Sequence, residues 1–425
     1  MLIYIDPGTG SMLFTILIGV LGAAIYAFKG LWLKLKFMIK GGNIKVNESD
    51  RVPFVIFTDS KRYYTIFKPI CDEMEKRGQT LLYLTGEKDD PLLDENYEYV
   101  QTEFAGEGNR PYARMNLLKA DIVLSSTPGL DVYQWKRSRD VRFYVHVLHA
   151  ATYAMRYRMF GLDYYDALLL SSDYQAKFVR DLEELRNRPE KEIIMAGLPH
   201  LDALQMRLQQ SHREKTNKKT VLVAPTWGPS GLFTRFGDSI IKKLLETDYD
   251  IIIRPHPQSF VSEKEMIDKL MAEFPENDRV HWDRSTDNFN ALNSSDILVS
   301  DFSGIIFDYI LVFEKPVIYS QSIFDNGIYD TWWLNDNEEL TFNAFNRAGM
   351  ALNEDNFDKI DEMIAECLQD ESIRVQIAQI RQEIWKNDGN SIKTIVDYMI
   401  EKRDKLLSAE KQSEQIDGEI GNVNI

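Results

Sequence analysis

Through most of the chain, short apolar runs alternate with longer stretches of helical spacing. Val52 to Phe57 reads as a strand, Lys61 to Arg77 as a helix that Gly78 ends, and Thr80 to Thr85 as the next strand. Further strands fall at Ala120 to Ser125, Val141 to Leu148, Ala167 to Ser171 and Glu192 to Met195. A second series starts at Val221 to Ala224 and continues with Tyr249 to Ile253, Val280 to Trp282, Ile297 to Ser300 and Pro316 to Tyr319. Helix-length segments at Asp238 to Glu246, Ser262 to Phe274 and Ser303 to Phe313 separate these strands. Strands divided by helices in this way predict βαβ units and parallel sheets.

Between the two series, Met206 to Thr220 is dominated by Gln, Arg, Lys, Asn and Ser, which marks it as a link between domains. Asn356 to Lys405 keeps helical spacing without strand signals, so it supplies helices that close the fold. The expected fold is α/β: a Rossmann-like domain over residues 51–205, the link at 206–220, and a second such domain with its closing helices over 221–405. Residues 406–425, polar from Ser408 onward, read as a mobile tail. Two such halves form the GT-B architecture, with a donor molecule in the cleft and mostly against the second half.

The first residues break the alternation. Met12 to Phe28 carries no charge, and Leu2, Ile3, Tyr4 and Ile5 precede it. That length lies at the short end of what spans a bilayer as a helix. Asp6 is the only charged side chain before it, whereas Lys29, Lys34, Lys36, Lys40 and Lys45 follow, with no acid until Glu48. Lysines on the C-terminal flank place the rest of the chain in the cytoplasm. A cleaved signal peptide ranks second, because its positive charges would come first. Residues 1–40 are therefore read as a single transmembrane anchor with a basic juxtamembrane segment at headgroup level.

With 425 residues the chain has room for two domains and appendages. Its formal net charge of −16 argues against coating a nucleic acid, whose phosphates would repel the bulk of the surface. Cys71 and Cys367 stand far apart without metal-site spacing and read as reduced packing residues.

Candidate chemistry gathers at the C-terminal ends of strands, where open α/β sheets bind ligands. Arg254-Pro255-His256-Pro257 follows one strand directly, and its two prolines rigidify a turn that presents Arg254 and His256 to a pyrophosphate. The bland alternative is a turn whose histidine caps a helix. Asp301-Phe302-Ser303-Gly304 ends another strand and opens a helix, an arrangement suited to an anion, with Asp308 one turn on for a ribose hydroxyl. An N-cap with nothing bound would look the same. Pro225-Thr226-Trp227-Gly228-Pro229-Ser230 can cradle a phosphate, with Thr226 as donor and Trp227 as a cleft wall, or can be a tight loop around a packed Trp. In the first half, His149 follows a strand and is expected to face the cleft, where an imidazole works as a base near neutral pH; a satisfied histidine at a strand end is its alternative. His146 lies inside that strand and reads as structural. Arg156 and Arg158 are candidates for an anionic acceptor. No acidic pair or Asp-x-Asp stands at a strand end, so no metal is required, and no organic cofactor is implied.

In this order and spacing the pieces resemble the CDP-glycerol glycerophosphotransferase family, which includes teichoic-acid primases and polymerases. The resemblance covers roughly residues 120 to 390. It rests on His149 before the Asp163 to Asp173 stretch, Gly197-Leu198-Pro199-His200-Leu201-Asp202, Pro225-Thr226-Trp227, the Arg254 to Pro257 turn, and Asp301-Phe302-Ser303 ending near Lys315-Pro316. It implies a GT-B fold and transfer of glycerol phosphate, or a related polyol phosphate, from a CDP-activated donor to a hydroxyl of a lipid-linked acceptor, releasing CMP. It implies further that His149 is the base, and that Arg254, His256 and Ser303 hold the donor pyrophosphate. The chain departs from the family pattern in four places. Ala150 follows the base where Gly is usual, His200 stands in place of Arg, Gly304 in place of Ser, and Gly228 where Arg is common. These departures leave the polyol, the acceptor, and the choice between primase and polymerase open, as homo-oligomerisation also is. Two competing readings are a GT-B glycosyltransferase or sugar-nucleotide epimerase using a UDP-sugar, and a non-catalytic membrane scaffold that retains the fold.

Overall fold

The computed structural model describes residues 51–151, 157–212, 218–285, 287–320, 330 and 340–421. The expected anchor over residues 1–40 and the candidate Arg156 lie outside the described residues. No helix among the described residues is long and apolar enough to cross a membrane.

The first half is a seven-stranded parallel sheet in the order β3-β2-β1-β4-β5-β6-β7. Its strands are β1 (Val52–Thr58), β2 (Leu81–Thr85), β3 (Val100–Phe104), β4 (Ala120–Ser125), β5 (Val141–Val147), β6 (Ala167–Leu170) and β7 (Glu192–Met195). Phe54 and Ile56 of β1 enter one hydrophobic core, Val55 and Phe57 the other. Successive side chains on a strand point to opposite faces, so covering both faces demands the continuous apolar run seen in the sequence.

The second half is a six-stranded parallel sheet in the order β10-β9-β8-β11-β12-β13. It comprises β8 (Thr220–Val223), β9 (Asp250–Ile253), β10 (Val280–Trp282), β11 (Ile297–Ser300), β12 (Val317–Ser320) and β13 (Gly349–Leu352). Two parallel sheets facing one cleft are the arrangement the sequence predicts. β3 and β13 have no counterpart in the sequence reading. Both are edge strands: β3 buries only Val100 of its five residues and lacks an apolar run, while β13 is apolar but four residues long, with Leu352 alone buried.

Three boundaries differ from expectation. The helix Pro199–Gln210 runs into the stretch read as a link, because Leu201 and Leu204 are buried in the core of the second half. The tail continues a helix that spans Ser391–Gly421. Its Glu, Lys and Gln residues are good helix formers, and Glu410 pairs with Arg142. This last helix also belongs to the first half: Ile395, Val396 and Met399 are buried with Phe67 and Ile70 of the helix Tyr64–Lys76. Full burial of such side chains stabilises by roughly 1.5–3 kcal/mol each. The chain returns to the first half through Lys386, whose N–H donates to the Ser171 carbonyl at 2.8 Å, and through Asp202, which accepts from the backbone of Gly389 and Ser391 at 2.9 Å each.

Candidate active site

Each sheet reverses its strand order once, between β1 and β4 in the first half and between β8 and β11 in the second. Loops diverge at such a switch point and leave a crevice outside the carboxyl ends of the strands. Here a cleft of about 1070 Å³ opens. Ser60, Lys61 and Arg62 after β1 line it from one side; Ala224 and Pro225 after β8, Arg254 and His256 after β9, and Ser303 and Gly304 after β11 line it from the other. A smaller space of about 280 Å³ adjoins it and shares Arg62, Thr65, His200, Gly304 and Asp308 with it. His149 lines this smaller space. The two histidines of the sequence reading thus border one connected region.

His149 packs its ring against Tyr63, with centroids 4.9 Å apart, and its Nδ1 lies 2.9 Å from the Tyr157 hydroxyl. Burial, followed by the charges of Arg62 and His200, pushes its pKa down to about 4, so the ring is neutral near pH 7. His256 accepts a hydrogen bond at Nδ1 from the backbone N–H of Gln258 at 3.1 Å. A backbone N–H can only donate, so the proton of the neutral ring sits on Nε2 and makes that atom a donor. Burial lowers the His256 pKa, Arg254 adds to the effect and Glu263 opposes it.

The other candidates divide. Ser303 and Gly304 line the cleft, and a Cβ at Gly304 would meet nothing within 4 Å, so this loop is open to a ligand. Ser303 does not cap the following helix with its side chain; Gly304 is the cap residue and makes no side-chain bond. Asp308 lines both spaces, with its carboxylate 3.4 Å from His200 Nε2 and 3.4 Å from Asn288 Nδ2. Arg254 reaches the cleft, but its guanidinium already pairs with Asp283 and lies 3.2 Å from the Ser285 hydroxyl. At the cleft wall its guanidinium is therefore one half of an ion pair.

Four candidates lie off the cleft. Asp301 is fully buried, and its carboxylate accepts from Thr226 N at 2.9 and 3.1 Å and from Leu232 N at 3.0 Å. Burial raises its pKa to about 6 against the pull of those bonds. It ties down the loop after β8 instead of reaching a ligand. Thr226 takes part through its backbone in that tie, and Trp227, 46% exposed, is not among the cleft walls. Arg158, exposed, also lies off the lining.

Two residues reach the site to which the sequence analysis gave no role there. His200 lines both spaces, and its Nδ1 is buried without a hydrogen-bond partner among the described residues. Pro199 before it starts the helix, and Gly197 before that has φ +88 with Lys386 and Asn387 carbonyls 3.0 and 3.1 Å from where a Cβ would stand. A tight Gly followed by Pro at a helix start fixes the residue after it at the mouth, and that spacing was the available signal. Arg62 lines both spaces, and among the described residues no carboxylate lies within ion-pair range of it. Its place just past the first strand was readable as a ligand loop.

A family model for CDP-glycerol:poly(glycerophosphate) glycerophosphotransferase matches residues 147–401. The minor teichoic acid biosynthesis protein GgaB of Bacillus subtilis (strain 168) is 25% identical over 162 residues, covering 32% of this chain and 16% of GgaB. The matched part therefore spans about a sixth of that relative's length. Among solved structures, the wall teichoic acid polymerase TagF soaked with CDPG aligns at a TM-score of 0.55 and 15% identity, over 90% of this chain and 99% of that one. The UDP-GlcNAc 2-epimerase from Methanocaldococcus jannaschii aligns at 0.53 and 14%, over 82% and 99%. At such identities the structural likeness shows a shared fold.

Proposed function

Because the chain belongs to the CDP-glycerol:poly(glycerophosphate) glycerophosphotransferase family, we propose that it moves glycerol phosphate, or a related polyol phosphate, from a CDP-activated donor to an acceptor hydroxyl and releases CMP. The observation that carries this reading is the pairing of a donor imidazole, His256, with a neutral imidazole, His149, in adjoining spaces of one cleft. His149 Nε2 takes the proton of the acceptor hydroxyl as its oxygen attacks the phosphorus that bears the polyol. A new P–O bond forms, the P–O bond to CMP breaks, and the electron pair stays on the departing CMP phosphate. His256 Nε2–H and the open Ser303-Gly304 loop stabilise that growing charge, and positioning with electrostatics supplies most of the rate. Arg62 suits a phosphate of the acceptor.

Titration calorimetry of the protein with CDP-glycerol, CDP-ribitol and UDP-sugars tests the donor class. A CDP-alcohol is expected to bind with CMP released on adding acceptor; binding of a UDP-sugar alone would replace this reading by the glycosyltransferase or epimerase one.

The pH profile follows from the site. A base acts in its unprotonated form, so kcat/KM is lost as pH falls through the pKa of free His149, about 4. The acid limb is expected near there, well below the ordinary imidazole value of about 6.5. An acid limb at or above the ordinary value would remove His149 from the role of base.

We also propose that residues 1–40 anchor the enzyme so that a lipid-linked acceptor meets it at the cytoplasmic leaflet. The uncharged run and the lysines behind it support this. The full chain is expected to sediment with membranes and a chain lacking residues 1–40 to stay in the supernatant; equal partition of the two would refute the anchor.

A further inference from the structure

The Tyr157 hydroxyl lies between two imidazoles. It is 2.9 Å from His149 Nδ1 and 3.3 Å from His146 Nε2. His146 is fully buried within β5, its ring at 89° to Tyr157 and packed on the other side against Tyr165, whose own hydroxyl donates to the Thr127 carbonyl. His146 Nδ1 has no hydrogen-bond partner among the described residues. Of the three groups, His149 is the one that lines the smaller space.

We propose that Tyr157 and His146 are positioning residues that hold His149 in the tautomer whose Nε2 is free to take a proton. The inference rests on the reading of His149 as the base. The phenol has one proton to share between two ring nitrogens. Directed at His146 Nε2, it leaves the phenol oxygen to accept His149 Nδ1–H, and His149 Nε2 carries a lone pair. Directed at His149 Nδ1, it forces the imidazole proton onto Nε2, where the ring can no longer act as a base. The acceptor at His146 Nε2 is what makes the first arrangement available, because among the described residues the phenol's other partner is His149 Nδ1. When Nε2 takes the acceptor's proton, the imidazolium Nδ1–H donates to a phenol already polarised by His146, which strengthens the bond in step with the charge.

In both arrangements His146 Nδ1 lacks a partner among the described residues, carrying an N–H in the first and a lone pair in the second. A donor hydroxyl arriving at His149 Nε2 tips the balance to the first. This accounts for a buried histidine that lines neither space.

The test is a double-mutant comparison in the full-length protein. His146→Leu removes the inner acceptor, turns the phenol proton onto His149 and is expected to lower kcat about 100-fold, within the usual range for a lost base, with CDP-glycerol affinity unchanged. Tyr157→Phe added to His146→Leu removes the misdirected proton and is expected to regain about tenfold over His146→Leu alone, a sign that non-additive coupling permits but a packing role does not. His146→Gln, which offers an oxygen near the Nε2 position, is expected to stay within about tenfold of the parent. A double variant no better than His146→Leu, or His146→Leu as active as the parent, would overturn the proposal. Nitrogen-15 spectra of histidine-labelled protein with CDP-glycerol give an independent readout, with His149 assigned by its loss in His149→Ala. A protonated Nδ1 and unprotonated Nε2 are expected, and a protonated Nε2 overturns the relay whatever the activities. Full activity of His149→Ala with the expected tautomer would instead remove the base reading alone.

Discussion

His149→Ala is expected to lower CMP release in the presence of acceptor by about 10²–10⁴-fold, the share that a positioned base contributes, while CDP-glycerol binds within about threefold of the parent affinity. The split follows from where the groups stand. His149 borders the smaller space beside Arg62 and Tyr63, whereas His256 and the Ser303-Gly304 loop border the larger cleft on the side of the second half. Losing the base removes a transition-state interaction and leaves the donor's contacts in place. His256→Ala is expected to behave differently. It removes a hydrogen bond to a charged group, worth about 1.5–3 kcal/mol, and so weakens donor binding and turnover together. Calorimetry and a CMP-release assay on both variants check the contrast; unimpaired release by His149→Ala would end the assignment of the base.

Asp301→Ala is expected to destabilise the protein by about 2–5 kcal/mol, the cost of leaving two buried N–H groups without an acceptor. The carboxylate is fully buried and accepts from Thr226 N and Leu232 N, so it closes the loop that follows β8 onto the end of β11. Those two strands flank the switch point of the second half, so the loop that carries Pro225 loosens as well. Asp301→Asn keeps the size and one acceptor oxygen and is expected to cost less than half as much. Thermal unfolding of the three proteins measures the order. If alanine and asparagine melt alike, or alanine melts with the parent, the carboxylate is not the tie described here.

How much of this was legible in the sequence depends on whether the signal was local. The central strands were readable, because a strand covered on both faces must be apolar along its length, as Phe54 to Phe57 are. The loops that carry His149, His256 and Ser303 were readable because each directly follows such a strand. Edge strands β3 and β13 were not: β3 is interrupted by Gln101, Thr102 and Glu103, and β13 is a four-residue run that directly follows the helix Leu340–Ala348. Long-range pairing was equally hidden. Nothing near Arg254 in sequence announces Asp283 as its partner, and nothing in the Ser391–Gly421 helix announces that Ile395 and Met399 pack into the first half. Asp301 and Trp227 were misplaced for a related reason: the composition of a loop does not say which of its side chains turn inward and which outward. The contacts of His200 with Asp308 and of Tyr157 with two imidazoles are likewise made by the fold and not announced locally.

The central claim is that one donor molecule spans the cleft from His256 to His149. A structure of the full chain with CDP-glycerol bound tests it most directly. The diphosphate is expected against His256 Nε2 and the Ser303-Gly304 loop, with the polyol-bearing phosphorus turned toward His149 and Arg62. A diphosphate seated elsewhere on the molecule, or one whose polyol end points away from His149, would contradict the account.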